Sequence, residues 1–352
     1  MNSGAIWWGQ IGNSIRLIND ITNALRDYNS VVLQVPKRIP WRQEFYDAID
    51  IKRTIFSGER RLVRCEWSAD DEPGRFVLEK LCSSEVCAEY WPGVSYAAYL
   101  GSLKDILLNE YYVWITGIHS KTDISKWTEF ISQYMQFAKE PSERAVFILE
   151  YDGAPCNEST VKQIEYTIED YDCLVFCLET AVAMKNTELR EYQAELSFRI
   201  GEEDPELSNA LLSAGTELLE DPVETARSIM KEEYNSQHRP FEMQTELQIN
   251  SAVWNASIVL LFPMLEHFRM HFVTQYYEEL LKHLPINNSN GDQITDPFDL
   301  ELGSIYYIVR TSERAFLPLE VENVRLCRNA RNLLAHNKPV PYSDVAKILS
   351  LQ

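Results

Sequence analysis

Five short apolar runs, each of strand length and without polar alternation, restrict most strongly the folds that this chain can adopt. The runs are Val31 to Val35, Leu62 to Trp67, Tyr112 to Thr116, Ala145 to Leu149 and Cys173 to Leu178. Strands that are buried on both faces have this composition, whereas the strands of a half-exposed antiparallel sheet alternate. Segments between the runs, such as Trp127 to Ala138 and Ser159 to Glu169, are long enough for crossover helices. The first half is therefore predicted to be α/β, with a parallel sheet covered on both faces.

The second half of the chain has a different pattern of residues and is predicted to be all-α. After about Met184, glycine becomes sparse and apolar residues recur at helical spacing. Helices are predicted from Phe241 to Leu284 with an interruption at Pro263, from Leu300 to Val309, from Pro318 to about His336, and from Ser343 to Leu351. The last helix is expected to have Ser343 as its N-cap, because serine is favoured there and Asp344 would then lie in the first turn.

An acidic segment joins the two halves. Residues 181 to 246 carry 6 basic and 15 acidic residues, a net charge of −9. Within it Pro205 and Pro222 each follow an aspartate, which is typical of a helix start. The chain has 352 residues, enough for two domains of usual length. The predicted organisation is an α/β domain over 1–184, an acidic helical connector over 185–246, and a helical bundle over 205–352 into which the connector leads.

Composition excludes several classes of protein. The chain is 45% hydrophobic and 24% charged, so disorder is not its dominant state. It has no run of 18 apolar residues, and its first residues lack a basic stretch followed by a long apolar one. We therefore expect neither a membrane span nor export, and hence a cytoplasmic protein. The net charge of −20 repels a phosphate backbone, so nucleic acid can bind only where positive charge is gathered locally.

Seven cysteines and two spaced histidines raise the question of a metal. An odd number of cysteines in a chain without an export signal predicts free thiols. Cys82 and Cys87 have a spacing found in zinc sites, but no second pair of ligands follows at zinc spacing. His267 and His271 would lie on one face of a helix. The alternative to a metal site is that both imidazoles lie at the edge of the packed core. Neither a metal nor another cofactor is expected.

The first half resembles a degenerate member of the AAA and STAND class of P-loop ATPases. The resemblance covers about residues 10–185 and rests on strand spacing and on a run, Ala145 to Glu150, that ends in a carboxylate as a magnesium-binding strand does. Glu179 ends the last run in the same way, although strands also end in carboxylates simply where they emerge into water. The loop after the first run, Pro36 to Trp41, has no glycine and two prolines, so it cannot form a phosphate nest. ATP hydrolysis is therefore not expected.

The most specific signal is a short motif near the end of the chain. Residues 331–336 read Arg-Asn-Leu-Leu-Ala-His. This segment resembles the Arg, polar residue, three residues, His motif of HEPN domains, which are all-helical bundles that include many endoribonucleases. Trp254, the segment Leu261 to Arg269 and the segment Phe298 to Gly303 resemble the earlier helices of such a bundle. The resemblance spans about residues 205–352.

The resemblance implies a catalytic set of Arg331, Asn332 and His336 and a homodimer that brings two motifs together. Such a set could catalyse cleavage of RNA by the RNA's own 2′-hydroxyl. Histidine exchanges a proton near neutral pH, and arginine is a fixed cation that can stabilise the negative charge on the phosphate. The two side chains are five residues apart, so they converge only if the helix ends near 335–337, as Pro339 predicts. The last 32 residues carry a net charge of +3. Candidate RNA-binding residues are Arg325, Arg328 and Lys338.

Two functional hypotheses follow from these patterns. The first is an endoribonuclease effector of a bacterial conflict system, such as phage defence or a toxin pair, in which the α/β domain senses or docks a protein partner. The second is a non-catalytic scaffold subunit of a defence complex, in which Arg331 and His336 only make structural contacts. The family includes inactive members, so the motif alone does not decide between them.

Overall fold

The computed structural model describes residues 2–56, 60–69, 71–103, 107–137, 140–155, 161–182, 189–287, 291–312 and 315–351. The chain divides into two compact units, Met1–Asp172 and Cys173–Gln352. The predicted boundary at residue 184 lies outside the described residues. The first unit is α/β and the second is almost entirely helical within its described part.

A five-stranded, fully parallel sheet forms the centre of the first unit. Its strands are β1 (Val31–Gln34), β2 (Arg61–Glu66), β3 (Tyr111–Ile118), β4 (Val146–Tyr151) and β5 (Lys162–Glu165). They lie in the order β2-β3-β4-β1-β5, so the first strand of the chain has a neighbour on each side. The prediction of a parallel sheet is confirmed, and four of the five apolar runs are strands.

Helices cover both faces of this sheet, as its apolar strands predict. The helices of the first unit are α1 (Ser3–Gln10), α2 (Gly12–Arg26), α3 (Arg42–Thr54), α4 (Pro73–Leu81), α5 (Ser84–Glu89), α6 (Tyr96–Ser102) and α7 (Lys121–Phe137), and α8 (Asp170–Ala181) begins at its end and lies mostly in the second unit. On one face, Val113 and Ile115 of β3 belong to the same core cluster as Trp127 of α7. Trp114 points to the other face, because side chains alternate along a strand, and there its ring meets Phe45 of α3 edge-on at 5.7 Å.

The assignment of Cys173 to Leu178 as a strand is wrong. This run lies in α8, where Cys173, Phe176 and Cys177 are buried at helical spacing. A short apolar run in a buried helix cannot be told from a buried strand by its composition. The fifth strand is β5 instead, inside the segment 159–169 that was predicted to be a helix. Only Ile164 of β5 is buried, so this edge strand carries no apolar run.

The second unit contains most of α8, nine further α-helices and one small hairpin in its described residues. These nine are α9 (Arg190–Gly201), α10 (Pro205–Ser213), α11 (Thr216–Glu220), α12 (Pro222–Glu232), α13 (Glu246–Gln275), α14 (Tyr277–Leu281), α15 (Leu302–Thr311), α16 (Pro318–Ala335) and α17 (Tyr342–Leu349). The hairpin pairs β6 (Ile286–Asn287) with β7 (Gln293–Ile294) in antiparallel fashion. Helices α9 to α12, which come from the acidic segment, share one apolar core with α13, α16 and α17.

Local signals explain where these helices begin. Asp204 and Asp221 accept hydrogen bonds from the first turns of α10 and α12, in which proline is an early residue as predicted. Helix α13 begins with a capping box formed by Thr245 and Gln248. The prediction of Ser343 as an N-cap is wrong: α17 begins one residue earlier, with Pro341 in the cap position and no side-chain cap.

Helix α13 packs in the core of the second unit against most of its other helices. It runs for 30 residues through Pro263, where the sequence predicted an interruption. It is also the single helix, among those described, that is long and apolar enough to cross a membrane by length and composition. Leu261 and Leu265 are nevertheless fully buried in the protein's own core. A core helix of a water-soluble domain meets the same criteria, so its composition does not imply a membrane span.

Candidate functional site

The motif predicted to be catalytic lies at the end of α16, and the helix ends where the sequence predicts. Ala335 is its last residue and His336 is the C-cap. The next residue, Asn337, adopts a left-handed conformation with φ of 54°, which asparagine tolerates better than most residues. The amides of Asn337 and Lys338 then donate to the carbonyls of Leu334 and Leu333. This is a Schellman turn, and it fixes the direction in which the chain leaves the helix.

A side chain from α13 holds the same helix end in place. The indole Nε1 of Trp254 donates to the carbonyl oxygen of Leu334 at 2.9 Å. On the buried side of α16, Cys327, Ala330 and Leu334 pack into the core cluster that α13 provides. The backbone of the motif is therefore anchored on one side, which leaves its other side to solvent.

Arg331 faces the start of α15 and is half-exposed. Its Nη2 lies 3.2 Å from Oε2 of Glu301, and the two side chains are 39% and 72% exposed. Glu301 precedes α15 but does not cap it with its side chain, so its carboxylate is available to the arginine. Ion pairs between exposed groups contribute only about 0.2–1 kcal/mol, so another anion such as a phosphate can displace this carboxylate.

His336 is exposed and open to solvent. Within the described part of the chain its imidazole has no hydrogen-bond partner, and neither does the side chain of Asn332, which is half-buried. The structure does not join Arg331 and His336 by a hydrogen bond. It places them on the last turns of one helix, with the imidazole at the C-cap. A ligand can therefore reach the imidazole without first breaking an internal contact of the histidine.

The three predicted RNA-binding residues differ in their surroundings. Lys338 is exposed in the turn after α16. Arg325 is exposed and pairs with Glu322 of its own helix at 2.5 Å. Arg328 is half-buried, and its guanidinium carbon lies 5.4 Å from the ring centroid of Tyr306 on α15. Arg325, Arg328 and Arg331, which are spaced three residues apart on α16, thus all have contacts, but among the described residues only Arg325 and Arg331 contact carboxylates.

Two residues of this site were not singled out from the sequence. Glu301 lies within the segment Phe298 to Gly303 that was matched to a bundle helix, so its region was noted but its role was not. Tyr306 gave no signal of its own, because its contact with Arg328 arises only when α15 packs against α16.

The loop after β1, which holds phosphate in a P-loop protein, packs against α1 here. The indole of Trp8 in α1 donates to the carbonyl oxygen of Pro40 at 2.9 Å. Trp41 is buried beside the start of α3, in a left-handed backbone conformation. A Cβ atom at Gly4 would approach Trp41 to 2.9 Å, so α1 packs closely over this turn. These contacts give the loop Pro36 to Trp41 a structural role.

Glu150, which was compared with a magnesium-binding carboxylate, is buried and has three partners. Oε1 lies 2.8 Å from Nη2 of Arg42, and Oε2 accepts hydrogen bonds from Trp114 Nε1 at 2.9 Å and from the hydroxyl of Tyr46 at 3.1 Å. Burial, followed by the charge of Glu150, raises the pKa of the Tyr46 hydroxyl. Glu179 was expected to end a strand but is an exposed residue of helix α8. The comparison of Glu179 with a magnesium ligand at a strand end is therefore wrong.

No group of three or more His, Cys, Asp or Glu side chains in the described residues is arranged to hold a metal ion. His267 and His271 are both exposed on α13. Burial and, to a lesser extent, the neighbouring Cys87 raise the pKa of the Cys82 thiol to about 11. Cys156 lies outside the described residues.

Comparison with solved structures finds neighbours, among them one of low similarity. No protein-family profile matches the chain, and no curated protein matches its sequence significantly. The crystal structure of Saccharomyces cerevisiae RIF2 aligns over 67% of this chain and 93% of its own, with 10% sequence identity and a TM-score of 0.34. A similarity of this size does not assign the chain to a family.

Proposed function

We propose that the second unit is a HEPN-like bundle and that the protein is a metal-independent endoribonuclease. In this proposal it acts in the cytoplasm as a homodimeric effector of a bacterial conflict system. The first unit is a P-loop-like domain that has lost its nucleotide and serves as a sensor or docking module for a protein partner. The observation that carries the proposal is the combination of an exposed His336, which has no partner among the described residues, and a half-exposed Arg331 on an anchored helix end.

The chemistry is transesterification within the RNA. His336 accepts the proton of a 2′-hydroxyl, and the 2′-oxygen attacks the adjacent phosphorus. The bond from phosphorus to the 5′-oxygen breaks, the proton returns to that oxygen, and the products are a 2′,3′-cyclic phosphate and a 5′-hydroxyl. Arg331 exchanges Glu301 for the phosphate and stabilises the charge that develops on its oxygens. Asn332 orients the phosphate or the histidine.

RNA cleavage by the purified protein tests this proposal. His336→Ala should reduce the rate by about 10²- to 10⁴-fold, the usual contribution of a general acid or base. Arg331→Ala should reduce it as well, because the developing charge loses its fixed cation. His271→Ala is the matched control, since it removes another exposed histidine of the same unit and should leave the rate unchanged. Equal cleavage by wild type and His336→Ala would refute the proposal.

An assembly role is the second candidate, and a surface feature of α13 favours it. Val259, Phe262 and Met270 are large apolar residues that are 42–44% exposed on this helix, although the same helix forms the centre of the core. A non-catalytic subunit would use such residues to bind its partners. In that case His336→Ala would change assembly or melting temperature, and cleavage would be lacking in the wild type under all activating conditions.

A further inference from the structure

Arg328 is held differently from the two arginines that flank it on α16. Arg325 and Arg331 each contact a carboxylate, whereas Arg328 contacts none among the described residues. Its guanidinium lies over the ring of Tyr306, 5.4 Å from the centroid, and one Nη donates to Asn329 at 3.1 Å. Its positive charge is therefore not neutralised by any acidic side chain that the structure describes.

Tyr306 gives this guanidinium a fixed support. The tyrosine is partly buried, because it packs against the apolar cluster of α13, α15 and α16 that includes Ile305 and Val324. One part of its ring surface thus contacts the core and another part contacts Arg328. The half-buried Arg328 keeps part of its surface in solvent. A planar cation supported by a fixed aromatic ring is a suitable surface for stacking a nucleobase.

We propose that Arg328, supported by Tyr306, stacks on a base of the bound RNA and is not a ligand of its phosphates. This inference rests on the proposed function, since it names the base contact of that site. Arg331 lies three residues further along the same helix face, where side chains are about 5–6 Å apart. A nucleotide can therefore place its phosphate on Arg331 while a neighbouring base lies on Arg328. The base must be unpaired to expose its face.

A lysine substitution separates stacking from charge, because lysine keeps the positive charge but has no planar group. Binding is measured by fluorescence anisotropy with two short oligoribonucleotides of identical length, one with bases and one abasic. Both carry 2′-O-methyl groups, which block cleavage, so the protein needs no inactivating change. Arg328→Lys should weaken binding of the oligonucleotide with bases by about 5- to 150-fold and leave abasic binding unchanged.

The matched controls come from residues outside the proposed RNA site. Arg227→Lys should change neither affinity, since Arg227 is an exposed arginine of α12 and not of the motif helix. Tyr306→Ala should reproduce the loss seen with Arg328→Lys. Tyr307→Ala, which alters the adjacent and 66% exposed tyrosine, should not.

The outcomes separate this proposal from the proposed function. Equal weakening of both oligonucleotides by Arg328→Lys, or no weakening, overturns the stacking role, while a cleavage rate that depends on His336 still supports the ribonuclease. Base-dependent binding without any cleavage supports the stacking role and overturns the ribonuclease. A wild-type protein that binds neither oligonucleotide overturns both.

Discussion

Trp254 and Leu334 connect the longest helix of the protein to the end of the motif helix. The indole Nε1 of Trp254 donates to the carbonyl oxygen of Leu334, one of the helix-end carbonyls that have no partner within a regular helix. The amide of Asn337 donates to the same oxygen. The position of His336 therefore depends on a contact from α13 as well as on the turn that follows α16.

Trp254→Phe should weaken this connection without opening the core. The phenyl ring keeps most of the apolar contact, and Leu334 keeps the Asn337 amide, so the loss should be about 0.5–1.5 kcal/mol of unfolding free energy. Urea denaturation measures it. Trp91→Phe is the control, because Trp91 is 72% exposed and its replacement should change stability by less than about 0.5 kcal/mol. Equal stability of Trp254→Phe and wild type would show that the indole contact contributes nothing.

Glu301→Gln should increase RNA binding. The carboxylate of Glu301 holds the guanidinium that a phosphate needs, and both side chains are exposed, so the pair contributes little to stability. Removing the competing charge should raise affinity by up to about 5-fold and change unfolding free energy by less than about 0.5 kcal/mol.

Anisotropy with RNA and urea denaturation check the two effects. Glu79→Gln breaks a comparable exposed pair with Arg75 in the first unit and should leave RNA affinity unchanged. A lower affinity of Glu301→Gln would mean that Glu301 orients Arg331 for its ligand instead of competing with it.

The sheet was largely predictable because burial on both faces leaves a strong signal in the sequence. The runs around Val113 and Ile148 consist mostly of buried residues, and both form interior strands of the sheet. The failures have one cause. The run at Cys173 has the composition of a buried strand but lies in a helix, and the edge strand at Ile164 has too little burial to show as an apolar run. The place of such a segment in the fold decides whether it is a strand or a helix, and local composition does not reveal that place.

The candidate site was predictable only along α16. The spacing of Arg331 and His336, and the proline that follows, predicted a helix that ends at the histidine, as the structure shows. Glu301 and Tyr306 meet the motif across about 20 to 30 positions of sequence, through the packing of α15 on α16. Such contacts have no local signature, so they can be found only in the folded chain. Whether Arg331 and His336 cleave RNA stays a prediction.

Cys327 should make the protein less stable in alkaline solution. Burial raises the pKa of its thiol from an ordinary 9.0 to about 12. Between these values the unfolded chain loses the proton and the folded protein keeps it, so the unfolded state binds fewer protons and stability falls as pH rises. The contribution of Cys327 is complete below about pH 9 and is lost as pH rises towards about 12.

Cys327→Ala removes this titration. Its unfolding free energy should decline less steeply than that of wild type above about pH 9, by up to about 1.4 kcal/mol per pH unit. Urea denaturation at a series of pH values measures the difference. Below about pH 9 the two curves should be parallel, with the variant lower because the substitution leaves a small cavity. Parallel curves at all pH values would contradict the buried, protonated thiol.

Glu150 offers a direct test of whether the first unit uses a carboxylate for magnesium or for its own core. Its oxygens contact Arg42, Tyr46 and Trp114, and its side chain is 5% exposed. Glu150→Gln should destabilise the unit by at least about 2 kcal/mol, because it removes the charge that compensates Arg42 and weakens two buried hydrogen bonds. Glu66→Gln, at the exposed end of β2, should change stability by less than about 0.5 kcal/mol.

Melting temperatures measured with and without magnesium and ATP distinguish a structural role of Glu150 from a role in binding magnesium. If the carboxylate is structural, adding both should not raise the melting temperature of wild type, because a ligand stabilises only the state to which it binds. Glu150→Gln should then melt lower than wild type by the same amount with and without them. A melting temperature that rises in wild type but not in Glu150→Gln would assign Glu150 to a nucleotide site and reverse the structural role given to the loop Pro36 to Trp41.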